Sequence, residues 1–194
     1  MKKFLYLFLI TIFCLLNTLN AQIRNYDIVL FGDLIGEISS HQKNISDSEY
    51  ELSYTSKAEA EVFFTKTKTF LQAKIHFKNN FVKSGFIIRK KNAELQEIDF
   101  KWEDNKYTIT ENGVKFNDPE KIYYCTTNFF FKEPVNIHKV YVERLLKYVE
   151  IEHLGNNQYL TKVDGGTNLY TYKNGILQSL KSKKGISIFM NLRE

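Results

Sequence analysis

From Tyr26 to its end, this 194-residue chain is interrupted by a turn signal every eight to twelve residues. Asn79-Asn80, Asp104-Asn105, Asn112-Gly113, Asn156-Asn157, Asp164-Gly165-Gly166, Asn174-Gly175 and Lys184-Gly185 carry the signals. Segments of that length suit strands, and the rhythm predicts an all-β sandwich, sheet or barrel. Asn112-Gly113 and Asn174-Gly175 are the sharpest, because both central residues of a type I′ hairpin turn need positive φ, which Asn and Gly tolerate best.

Between the turns the period is two. Thr67, Thr69, Leu71, Ala73, Ile75 and Phe77 share one face, against Lys68, Gln72, Lys74, His76 and Lys78 on the other. Ile98, Phe100 and Trp102 alternate with charged residues, and Ile186, Ile188, Met190 and Leu192 repeat the pattern. Such strands bury one face and wet the other. Sixteen Phe, twelve Tyr and two Pro also favour strands over helices or disorder. The expected fold is mainly β: a single curved antiparallel sheet, half-barrel or barrel-like, of about ten strands.

One segment departs from this period. Ile137, Tyr141, Leu145 and Tyr148 recur at spacings of 4, 4 and 3, with Glu143 and Lys147 placed as an i, i+4 pair. The spacing predicts one short helix from about Asn136 to Val149, set up by Pro134, which ends a Phe129-Phe130-Phe131 strand. A lone amphipathic helix lays its apolar side on something, here the concave face or mouth of the sheet.

The N-terminus reads differently. Met1-Lys2-Lys3 is a short positive start, and Phe4 to Leu16 is an apolar run of 13 residues. A polar end then leads to a small residue, Ala21, before Gln22. This is the layout of a secretory signal peptide. A span of the bilayer core takes about 20 residues, so no stable membrane span is expected after cleavage between Ala21 and Gln22. Phe13 stands before Cys14 where a lipidation site wants a small residue. The expected division is a signal helix over 1–21 and one β domain over 22–194, periplasmic or secreted.

Loss of Lys2 and Lys3 takes the formal charge from +5 to +3. Arg89-Lys90-Lys91 and Lys181 to Lys184 are the dense basic clusters, each beside a turn, and read as solvated hairpin ends. No nucleic-acid-binding pattern accompanies them, so no nucleic acid partner is expected. Cys125 is the one cysteine left after cleavage, which excludes an intramolecular disulfide; it reads as a small buried hydrophobe. His41, His76, His138 and His153 stand at no metal-ligand spacing, and neither a metal nor a cofactor is expected.

Three blocks resemble a family of short exported Gram-negative proteins of unknown function. They are Tyr26-Asp27-Ile28-Val29-Leu30-Phe31-Gly32 with Gly36; Ile122-Tyr123-Tyr124, Phe131-Lys132-Glu133-Pro134 and Val140-Tyr141-Val142-Glu143; and Asp164 through Gly175. The chain departs from the family pattern at Val142, where a serine is expected, and at Leu145, where a glycine is expected. The resemblance implies kinship with half-barrel periplasmic proteins such as the Lol-type lipoprotein carriers, whose curved sheet cups a helix or a lipid. It implies a fold rather than an activity.

Three apolar residues in a row, Phe129, Phe130 and Phe131, cannot all face one side of a strand: either both faces are covered there or one Phe lines an opening, which makes the run the best pointer to a binding groove. With Tyr141 and Leu145 they are the candidate ligand-binding residues, and Glu133, His138 and Glu143 the polar candidates. The expectation is a non-catalytic binding or carrier module for an apolar small molecule or lipid. The alternative is an envelope interaction or scaffold protein without a small ligand. An enzyme is the weakest reading, since no Gly-x-Ser-x-Gly or comparable nucleophile motif is present.

Overall fold

The computed structural model describes residues 21–193. The segment read as an export signal, 1–20, lies outside the described residues. Fourteen strands follow in chain order: β1 (Gln22–Leu30), β2 (Asp33–Ser46), β3 (Glu49–Val62), β4 (Thr65–Lys78), β5 (Phe81–Lys91), β6 (Glu94–Glu103), β7 (Lys106–Glu111), β8 (Val114–Asp118), β9 (Lys139–Val142), β10 (Lys147–Gly155), β11 (Gln158–Val163), β12 (Gly166–Lys173), β13 (Ile176–Lys184) and β14 (Ile186–Leu192). Short 3-10 helices occupy Thr126–Phe130 and Glu143–Leu145.

All fourteen strands join one open antiparallel sheet, in the order β8-β7-β6-β5-β4-β3-β2-β1-β14-β13-β12-β11-β10-β9. Its centre is the β1–β14 pair, where Tyr26 meets Leu192 and Leu30 meets Ile188, so the two ends of the described chain lock each other. Its two edges, β8 and β9, are joined by residues 119–138, whose middle part, 124–130, passes through the interior. Within that stretch Ile122 accepts a hydrogen bond from the β5 amide of Val82 at 2.8 Å, and Cys125 bridges Tyr141 of β9 in parallel. Tyr54 on β3 packs on Phe130 at 4.9 Å, and Tyr170 on β12 stacks on Phe129 at 4.1 Å. Five steps of sheet order separate those two strands, so the sheet curls around the inner 3-10 helix.

Each Asn- and Gly-marked turn falls where the sequence places it, and Asn79, Asn80, Asp104, Asn105, Asn112, Asn156, Asn157, Asp164 and Asn174 all take positive φ. The strand number differs, fourteen against ten, because further hairpins turn at 31–32, 47–48, 63–64 and 92–93. The expected helix over Asn136–Val149 is absent. Those residues form the hairpin of β9 and β10, reversed at Glu143–Leu145 with Leu146 at a φ of 53°. Tyr141 lies opposite Tyr148 in that hairpin, their rings 5.1 Å apart. A seven-residue spacing across a tight reversal puts two side chains together just as two helical turns do, which is how the period misleads. Lys147 accordingly meets Asp164, at 3.6 Å, and not Glu143. Phe129-Phe130-Phe131 is likewise no strand: Phe129 and Phe130 end the inner 3-10 helix.

Two close approaches tighten the sheet. A Cβ on Gly36 would stand 2.2 Å from the Lys57 carbonyl oxygen of the neighbouring strand, and one on Gly85 would stand 2.6 Å from the Phe100 ring. Only glycine fits such contacts. Gly36→Ala should therefore push β2 from β3 and cost about 1–3 kcal/mol, read as a lower urea midpoint at unchanged slope.

Candidate functional site

The inner helix Thr126–Phe130 is held by side chains from around the sheet. Cys125 donates its amide to Asn128 Oδ1 at 2.8 Å, and the Asn128 amide returns to the Cys125 carbonyl at 2.9 Å. Thr126-Thr127-Asn128 is a run of the residue types that favour helix starts. Its exposed amides are met by Glu143, which is 3% exposed. The Glu143 carboxylate accepts from the amides of Thr126 and Thr127 at 3.0 and 2.8 Å, from the Thr127 hydroxyl at 2.7 Å, and from the Thr126 hydroxyl. A buried carboxylate survives where several donors meet it, and here it sits at a helix start as well.

The far end of the segment is tied by phenols. Tyr172 donates to the Phe129 carbonyl at 2.8 Å, Tyr124 to that of Lys132 at 2.5 Å, and Tyr159 to the Glu133 carboxylate at 2.7 Å. The Arg24 guanidinium donates to the Phe130 carbonyl. Burial pushes the phenols of Tyr172 and Tyr124 well above the usual tyrosine range, so both remain donors at neutral pH.

Between this helix and the sheet lies a cavity of about 220 Å³. Its walls are apolar: Leu71, Phe129, Phe130, Leu177, Leu180 and Met190 among them. Its polar lining includes Glu143, Arg144, Asn168, Thr126, Tyr54 and Tyr170. Glu143 is spent on Thr126 and Thr127, while Arg144 gives one Nη2 bond to Asp164 at 3.2 Å and keeps other donors. Burial raises the Tyr54 and Tyr170 phenols, with Glu143 adding to the effect, and keeps both neutral. A wider hollow of about 670 Å³ lies over Glu51, Lys74, His76, Asp99 and Lys101 on the other face. There Lys74 pairs with Glu51 at 3.0 Å and His76 with Glu49 at 2.7 Å, a solvated polar sheet face.

The sequence candidates thus divide. Phe129, Phe130 and Glu143 line the cavity. Phe131 packs between the two core clusters under Arg24, whose guanidinium lies 5.6 Å from the ring centre. Tyr141 is buried on β9, and Leu145 sits in the 3-10 turn before β10. Glu133 is bound to Tyr159, and His138 lies against His153 at 5.7 Å. Glu133 and His138 share one neighbourhood through Tyr159 and His153, whose rings lie 4.9 Å apart, while Glu143 serves another at the inner helix. Cys125 is fully buried, and burial with the nearby Glu143 raises its thiol far above the range of a nucleophile. His41 lies on β2. Among the described residues, no three His, Cys, Asp or Glu side chains converge as metal ligands. Sequence reasoning missed Tyr54, Thr126, Thr127, Arg144 and Tyr170; the Thr-Thr-Asn run after Cys125 was the available sign of a helix start.

Comparison with curated proteins gave no match. Among solved structures, a crystal structure of a beta-barrel-like protein of domain of unknown function DUF1849 from Brucella abortus is similar, with a TM-score of 0.59. The likeness covers 91% of this chain and 97% of that one at 14% identity, and shows a shared fold. Residues 26–193 match the family described as Domain of unknown function (DUF6134), and the chain belongs to that family.

Proposed function

We propose that the protein is a non-catalytic binding module that takes one small, mainly apolar molecule into the cavity between its inner helix and the sheet. The observation that carries this reading is the cavity: about 220 Å³, mainly apolar, with Arg144 among its polar lining residues. Apolar cavities of about 150 Å³ hold benzene, and a liquid water takes about 30 Å³. The guest is thus a single ring or a chain of about eight carbons, and a two-chain lipid does not fit. Arg144 retains guanidinium donors, so a carboxylate or phenol on the guest has a partner there. Glu143, the acid lining the cavity, is engaged by Thr126 and Thr127, which favours binding over catalysis.

The test is a titration of the protein with toluene and with octanoate, followed by shifts in methyl NMR signals of Leu71, Leu177, Leu180 and Met190. Saturable binding of either probe is expected, with octanoate weakened several-fold in Arg144→Gln. Ser56→Leu, which fills the chamber, should abolish both. Shifts spread over the outer face, or binding unaltered by Ser56→Leu, would overturn the reading.

A further inference from the structure

We infer that one rim of the sheet docks on an anionic bilayer surface, through phenylalanines at two adjacent hairpin tips and basic tips on either side. In an antiparallel meander alternate turns lie at the same end. Because β1 and β14 are antiparallel neighbours, the turns β1–β2, β3–β4, β5–β6 and β13–β14 share one rim and stand side by side.

The β3–β4 hairpin overhangs its neighbours. Pairing of β2 with β3 stops at Gly36–Ala58, and pairing of β4 with β5 stops at Thr69–Lys91. Residues 59–62 and 65–67 therefore pair within this hairpin, Lys68 is the last to bond outside it, to Asn92, and Lys66 and Lys68 close on Glu59 to stiffen the ribbon. At its tip Phe63 and Phe64 are 86% and 100% exposed. On the next tip Phe31 and Leu34 are 72% and 66% exposed. Large apolar side chains this bare, gathered on neighbouring tips, mark an interaction surface.

The backbone makes the same point independently. Fifteen non-glycine residues among those described have positive φ, and eleven are Asn or Asp, which tolerate it. Three of the other four are Phe31, Phe63 and Phe64, at 54°, 48° and 64°. A bulky residue there strains the turn, and nothing in the fold compensates, since the side chains touch solvent. Asn-Gly would make the same turn without strain.

Charge selects the occupant. The β5–β6 tip beside this hairpin carries Arg89-Lys90-Lys91, and the β13–β14 tip beside β1 carries Lys181, Lys183 and Lys184. The two basic clusters of the chain thus flank the aromatic tips. Aromatic rings at headgroup depth with lysines against the phosphates is the pattern of anionic-lipid surfaces. The cavity lies toward this same rim, beside Arg144 and Val163, although the docking inference does not depend on a guest.

The experiment is flotation of the protein, recovered from an exporting host, with vesicles of phosphatidylglycerol and phosphatidylethanolamine or of phosphatidylcholine alone. Flotation with the anionic vesicles is expected, falling with raised salt and on phosphatidylcholine. Phe63→Asn with Phe64→Gly should lower partitioning at least tenfold, while thermal unfolding shows a fold at least as stable as the parent. Arg89→Gln, Lys90→Gln and Lys91→Gln together should lower it several-fold and flatten the salt dependence. Equal flotation of the parent and the Phe63/Phe64 variant would overturn the inference. So would binding indifferent to lipid charge, or crosslinking of the tips to an acidic protein with no vesicle binding.

Discussion

Glu143→Ala should lower the stability of the protein by about 2–5 kcal/mol, a large share of the 5–15 kcal/mol that a domain commonly has. The substitution leaves the Thr126 and Thr127 amides inside the fold without an acceptor. Each unsatisfied buried donor costs about 1–3 kcal/mol. The two threonine hydroxyls can rotate to other acceptors, so they add less. Glu143→Gln keeps one acceptor oxygen but turns an amide NH2 toward donors, and should lose about half as much. Urea unfolding gives the free energies, and near-ultraviolet dichroism of the rings around Phe129 shows whether the inner helix shifts. A loss below about 0.5 kcal/mol in Glu143→Ala would mean that the carboxylate does not anchor the helix.

The same carboxylate shows where sequence reasoning reaches and where it stops. Turn residues that need positive φ are local facts, so Asn112-Gly113 or Asn174-Gly175 can be placed from two letters. The turn at Phe63-Phe64 cannot, because neither residue prefers that backbone, and a strand pair then reads as one strand. Counting strands fails there, as it does where the β9–β10 hairpin reads as a helix. Glu143 stands out in the sequence as a polar residue in an apolar stretch, but its partners are 16 and 17 residues away across an interior crossing. Spacing cannot show such a pairing. It also misleads at Tyr141 and Tyr148, which meet across a hairpin although their separation is that of two helical turns. Of the Phe129–Phe131 run, Phe129 and Phe130 line the cavity and Phe131 does not. The run is no strand, because a 3-10 helix spreads consecutive side chains around its axis and sends Phe129 and Phe130 to opposite walls.

High pH should unfold the protein cooperatively, starting above about pH 10. Burial raises the phenols of Tyr26 and Tyr50 from 10.0 to about 12, and carries those of Tyr107, Tyr124, Tyr141 and Tyr172 higher. A raised folded value means that the fold favours the neutral phenol. That stability is fully present below pH 10, where folded and unfolded chains are both protonated, and is lost as pH rises toward 12, where the unfolded chain ionises and the fold does not. Each such tyrosine removes about 1.4 kcal/mol per pH step in that window. Tyr26, Tyr107, Tyr124, Tyr141 and Tyr172 are each 5% exposed or less. Five of them would remove about 7 kcal/mol in a single step, within the range of the whole stability. The loss has a structural route, because Tyr172, Tyr124 and Tyr107 donate to the carbonyls of Phe129, Lys132 and Val82, and a phenolate cannot donate. Tyrosinate absorbance and far-ultraviolet dichroism followed together should change in one steep transition, the inner helix and the sheet failing as a unit. A shallow titration centred near pH 10, with the dichroism intact, would show instead that water reaches these phenols in the folded state.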